Sequence, residues 1–161
     1  QQLFLFVTRD YAWDACKENA RCYDHLPLHL RDNGDIFHAA ASSRCPIDGI
    51  LEQASARLQG SAFYVLLALR REKKGSSLKF AHPSLKDDDA FMARALHVNP
   101  SCLQYATARI RSSLQHALRA LERNPVCIMY VHRDLRKHAA IRSLLLRFCR
   151  QRRAPSAPRP F

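Results

Sequence analysis

Asn99-Pro100-Ser101-Cys102-Leu103-Gln104-Tyr105 returns 25 residues later as Asn124-Pro125-Val126-Cys127-Ile128-Met129-Tyr130. Ala95 and Ala120, Leu96 and Leu121, and Ile110 and Leu135 keep the same offset. A fixed period of this size marks a solenoid, in which each unit leaves one apolar side for its neighbour to cover. The expected fold is all-α: a short α-solenoid of about five two-helix units of roughly 25 residues. A C-terminal basic helix and an extended tail are expected to follow.

Leu85 to Ile110 is the clearest unit. Asp87, Asp88 or Asp89 can cap a helix over Ala90 to Val98 and place favourable charge at its start. Asn99-Pro100 ends that helix, because proline restricts the residue before it. Pro100 can open the next helix, to which Leu103, Ala106 and Ile110 give an apolar face. The following unit, Ser112 to Leu135, breaks at Asn124-Pro125 in the same way. Ser61 to Leu85 has Gly75 where its neighbours have proline, a different local solution to the same reversal. Upstream the period loosens. Asp35 to Leu58 reads as a unit broken at Cys45-Pro46 and Gly49, and Asp10 to Leu30 as a first one. The repeat domain is therefore drawn over 1–136, best defined over 61–136. Phe63, Tyr64, Phe80, Phe91, Tyr105 and Tyr130 are expected in the core between repeats.

The best-matching segments are Leu85-Lys86-Asp87-Asp88-Asp89-Ala90-Phe91-Met92-Ala93-Arg94-Ala95-Leu96, then Leu103-Gln104-Tyr105-Ala106, with Leu78-Lys79-Phe80-Ala81 repeating the ending. They resemble an uncharacterised helical-repeat family common in protists and some bacteria. Its units run from an acidic start through an alanine-rich helix and a Gly or Pro break to Leu-Gln/Glu-Tyr/Phe-Ala. Tyr130-Val131 departs from that ending. The resemblance implies a fold, and a lineage-specific subunit of a protist assembly. It brings no catalytic residues, because the family has no assigned chemistry.

Charge is unevenly placed. The chain carries 26 Lys and Arg against 14 Asp and Glu, a formal +12. After Val131, nine basic residues face one acidic residue, Asp134. Such a balance attracts nucleic acid, anionic lipid or acidic protein. Residues 137–149 read as a basic amphipathic helix, with Ile141, Leu144, Leu145 and Phe148 on the packed side. Arg136, Arg147 and Arg150 are expected opposite, with Arg142 at the edge, as a phosphate-facing surface would require. Residues 150–161, with Arg152, Arg153, Arg159 and three prolines, read as an extended tail. These seven arginines are the expected contacts to RNA or to an acidic partner.

Other chemistry is sparse. Cys16, Cys22, His25 and His29 have metal-ligand side chains at a spacing unlike standard zinc patterns, so packing and surface roles are expected. His116, His132 and His138 are expected at the surface, and Cys102 and Cys127 as small buried hydrophobes. Six cysteines without a secretory signal point to a reducing compartment. The chain starts at Gln1, which fits a removed leader or a start outside this sequence. Only four glycines, and no phosphate loop, HExxH or GxSxG, argue against an enzyme. Neither a metal, a cofactor, a small-molecule substrate nor a transmembrane segment is expected.

The resulting expectation is a non-catalytic structural subunit of a large organellar ribonucleoprotein, with a mitochondrial ribosome as the leading case. It would contact rRNA phosphates and neighbouring proteins and would not act as an isolated monomer. The alternatives are a peripheral scaffold of a protist mitochondrial membrane complex and a protein-interaction adaptor.

Overall fold

The computed structural model describes residues 8–45 and 48–153. Six longer helices organise it: α1 Arg9–Glu18, α2 Gly34–Ala41, α3 Ala62–Leu69, α4 Asp89–Val98, α5 Leu114–Arg123 and α6 Ala139–Arg153. Apart from one isolated bridge between Asn19 and Cys45, no β pairing occurs among the described residues. Each long helix packs on the next in chain order, as a helical-repeat, solenoid-like architecture requires.

Between long helices the chain makes two short pieces where the sequence suggested one helix. After α4 these are a 3-10 segment, Pro100–Tyr105, and a single α-turn, Ala108–Arg111. The cause is local. Asn99 leaves the helix with extended backbone (φ −144°), and its Oδ1 accepts from the Ser101 N–H at 3.0 Å. The Cys102 N–H bonds the Asn99 carbonyl and the Ala106 N–H that of Leu103, both i→i+3 bonds. Ala106 is extended, and the Thr107 hydroxyl caps the following turn. Asn19 and Asn124 repeat the Asn99 arrangement with Arg21 and Val126. In the third unit Gly75 (φ +66°) replaces proline, as the sequence suggested. A Cβ there would lie 2.7 Å from the Cys102 backbone nitrogen of the next unit.

Aligning the long helices by their first residues shows two apolar flanks. Position 3 (Ile36, Tyr64, Phe91, His116, Ile141) and position 7 (Ala40, Ala68, Ala95, Ala120) face the preceding helix. Tyr64 packs edge-on against Phe37 of α2 at 5.6 Å, and the His116 ring nitrogen lies 3.3 Å from the Asp89 carbonyl of α4. Positions 4 and 8 (Phe37 and Ala41, Met92 and Leu96, Ala117 and Leu121) face the following helix and are buried. Two-sided burial makes the stability of each unit depend on both neighbours.

Junctions between units alternate. At the first, Ser55 Oγ and Arg57 both hold the Asp32 carboxylate of the preceding unit. At the third, Thr107 Oγ1 (2.8 Å) and Arg109 Nε (3.0 Å) hold Asp87. The second and fourth lack this clamp. There the backbone N–H of His82 bonds the Gln59 carbonyl (3.0 Å), and that of His132 the Arg111 carbonyl (3.1 Å).

Three further sequence expectations change. Phe63 is 62% exposed, at the solvent side of α3, whereas Tyr64, Phe80, Phe91, Tyr105 and Tyr130 do pack in or against the core. His116 is 3% exposed, because its position in the helix is the one that faces α4. The C-terminal helix starts at Ala139 and runs to Arg153, so residues 150–153 are helical rather than extended. Residues 154–161 lie outside the described residues.

Candidate interaction surface

The last helix among the described residues is α6, whose inner side meets α5. Ile141 is buried, and Leu144 and Leu145 are half-buried against the core. The His138 Nδ1 accepts from the Ala140 N–H at 3.2 Å and so caps the start of the helix. The other side is open. Ala139, Arg142, Ser143, Leu146, Arg147 and Arg150 line one shallow depression along it.

The repeat register explains what this side is. Arg142 and Leu146 occupy positions 4 and 8, where α4 and α5 bury Met92 with Leu96 and Ala117 with Leu121. In α6 the same flank has no following helix among the described residues, and Leu146 is 57% exposed. An arginine at position 4 makes the flank a charged end, with one apolar side chain left at its centre.

Of the seven arginines expected to bind, the structure brings three together: Arg142, Arg147 and Arg150. Among the described residues none of the three has an acidic partner within ion-pair distance. By contrast Arg9, Arg44, Arg57 and Arg109 are all paired. Arg147 also borders a second depression lined by Glu122, Leu144, Phe148 and Gln151.

Arg136 departs from the expectation. It belongs to the turn Arg133–Arg136 rather than to α6, and its guanidinium, though exposed, is bonded to backbone carbonyls. Nε donates to the Val131 carbonyl at 2.9 Å and a terminal nitrogen to the Met129 carbonyl at 2.8 Å. Arg31, at the same place in the first unit, does the same with Leu26 and Asp24. The carbonyls of the 3-10 segment claim both residues, because that segment leaves acceptors without helical donors. Arg152 and Arg153 continue the α6 backbone, while their side chains, and all of Arg159, lie outside the described residues.

Among the described residues the outer flank of α1, at the other end, is uncovered too. Tyr11, at position 3 of α1, is 69% exposed where its equivalents Ile36 and Ile141 are fully buried. A cleft beside it is lined by Arg9, Asp10, Trp13, Asp35 and His38, and Arg9 there is bonded to Asp35. Cys16, Cys22, His25 and His29 do not converge: among the described residues no three His, Cys, Asp or Glu side chains are placed to hold a metal ion. Cys16, Cys102 and Cys127 are buried, and loss of solvent pushes the Cys16 thiol up to about 12 and the Cys127 thiol to about 11. No helix among the described residues is long and apolar enough to cross a membrane.

Residues 64–111 match a domain of unknown function, DUF4116. The DUF4116 match begins inside α3 and ends on the last residue of the turn Ala108–Arg111. It therefore covers two successive units, one from each junction class. It includes neither α1 nor α6, and so none of the three clustered arginines. Set against curated proteins and against solved structures, the chain finds no match.

Proposed function

We propose that the chain is a non-catalytic helical-repeat scaffold that joins protein partners through the open ends of its stack. One observation carries this reading. Positions 3, 4, 7 and 8 serve helix-to-helix contact in every interior unit, and the two ends leave those positions exposed at Tyr11 and at Arg142 and Leu146. An exposed apolar side chain ringed by charge suits a protein interface, with the arginines setting orientation and encounter rate. The paired Arg9 and Asp35 in the α1–α2 cleft further support a structural rather than a chemical use of its titratable groups.

A photo-crosslinking residue at position 146 of the full chain tests it, with exposed Arg94 as the control site. The native particle should yield a defined protein adduct at 146 and little at 94. Equal labelling at both sites, or none at 146, would sink the reading.

A second reading rests on the three unpaired arginines and the formal charge of +12. In it the chain is an accessory subunit of an organellar ribonucleoprotein, such as a mitochondrial ribosome, and α6 contacts rRNA phosphates. Three phosphate contacts to single-stranded RNA give a slope of log K against log salt near about −2. A flat salt response, or unchanged RNA affinity on Arg147→Glu, would count against it.

A further inference from the structure

We propose that the open face of α6 receives α1 of a second copy of this chain, so that copies continue the stack head to tail. The inference rests on the scaffold reading and names its partner.

The register inside the chain says where each residue of an incoming helix must land. Position 3 lies over positions 1 and 4 of the helix before it: a Cβ on Gly34 would strike the Tyr64 hydroxyl, and Tyr64 packs on Phe37. His116 repeats this over Asp89. Position 10 reaches the end of the preceding helix, where Arg71 donates to the Ser42 and Ser43 carbonyls at 2.8 Å. Transferred to a junction between copies, these rules set Tyr11 over Ala139 and Arg142. They set Glu18 beside Arg147, and Ala15 is the small residue that position 7 uses at four of the five interior junctions.

Charge agrees with that placement. Asp14 and Glu18 lie on the same side of α1 as Tyr11 and Ala15, at spacings of three, four and seven. Asp10 borders them, and all three carboxylates are exposed. Among the described residues Glu18 has only Arg44 within reach, at 3.6 Å and largely in solvent, a weak pair. An acidic flank with an exposed tyrosine thus faces outward at one end, and a basic flank with an exposed leucine at the other. The tyrosine ring would also meet the Arg142 guanidinium, a favourable cation–π arrangement. Such a contact uses different surfaces on the two copies, so it extends in one direction instead of closing as a symmetric pair.

Sedimentation of the nuclease-treated full chain over a wide concentration range tests this. The mass should climb with concentration and fall as salt is added. Arg142→Glu with Arg147→Glu should weaken association about tenfold or more, and so should Asp14→Arg with Glu18→Arg. All four sites are exposed, and unchanged thermal unfolding confirms that each variant folds. Mixing the two variants should restore association, because each then meets an opposite charge at both ends. A wild type that stays monomeric overturns the proposal, as does a folded pair of variants that fails to associate on mixing. Association that vanishes on nuclease treatment overturns it too and favours the RNA reading. A monomeric wild type that still gives a protein adduct at position 146 would remove self-assembly and leave the scaffold reading standing.

Discussion

Asn99 concentrates three jobs in one side chain. Its Oδ1 caps the 3-10 segment, and its Nδ2 donates to the Leu69 and Glu72 carbonyls of the preceding unit at 3.2 and 2.7 Å. At 6% exposure, water cannot replace these bonds. Asn99→Ala should therefore cost about 2–4 kcal/mol, read as a lower urea midpoint with an unchanged slope. A loss within about 0.5 kcal/mol, the usual span of a neutral surface change, would show that the side chain is not holding the junction.

Glu72, beside it, titrates against the common pattern. Its carboxylate accepts from the Gly49 N–H at 2.7 Å, the Ser77 N–H at 2.9 Å and the Ser77 hydroxyl. Burial outweighs those bonds and holds the group above its ordinary value of 4.5. The folded chain thus keeps a proton that the unfolded chain has released. The associated stability is full below 4.5 and is lost as pH rises through the folded value. Asp32 and Asp87 act in the opposite sense. Ser55 and then Arg57, and Thr107 and then Arg109, hold them below 3.8, so their contribution is lost as pH falls. Glu72→Gln should flatten the decline above pH 4.5 and leave the acid limb in place, which unfolding midpoints against pH will show.

At the scale of elements, one repeat position gives a controlled comparison. Leu121 in α5 and Leu146 in α6 are both position 8, one fully buried and the other mostly exposed. Leu121→Ala should destabilise by about 2–5 kcal/mol and Leu146→Ala by less than about 1 kcal/mol. Similar losses at both sites would contradict the register. The helices themselves were legible because their break residues are strong: Asn99-Pro100 and Asn124-Pro125 each stop a helix by chemistry local to the chain, whereas α3 already ends at Leu69 and Gly75 only turns the chain that follows. The division of the second piece was not, since it depends on an extended Ala106 and a hydroxyl cap that apolar spacing does not report. The carbonyl bonds of Arg136 are not legible for a related reason. Backbone carbonyls claim its guanidinium, and charge counting registers only side chains. His116 shows the same gap, because a polar residue at position 3 is buried by register and not by its type.

At the scale of the whole molecule, the cysteines offer a global check on packing. Cys45 and Cys149 are exposed, while Cys16, Cys102 and Cys127 are buried with thiols raised by loss of solvent. A thiol reagent at neutral pH should modify the first two rapidly and the buried three only on unfolding. Fast labelling of Cys102 or Cys127 in the native chain would show that the fourth and fifth units open independently. The candidate surface was partly legible: 3.6-residue spacing sets Arg147 and Arg150 opposite Ile141 and Leu144, but does not report that Arg142 takes the place of Met92 and Ala117. That substitution becomes visible only when helices 25 residues apart are superposed as stacked neighbours.

The alternating junctions bear on how such a chain can lengthen. Ser55-Ala56-Arg57-Leu58 and Thr107-Ala108-Arg109-Ile110 are two units apart, as are His82 and His132. Copying one unit would set two unclamped junctions side by side and strand a carboxylate without its arginine or an arginine without its carboxylate. Copying two would reproduce every joint already present. The heritable brick of this stack is thus the pair, and growth by gene duplication should favour steps of about 50 residues over steps of about 25.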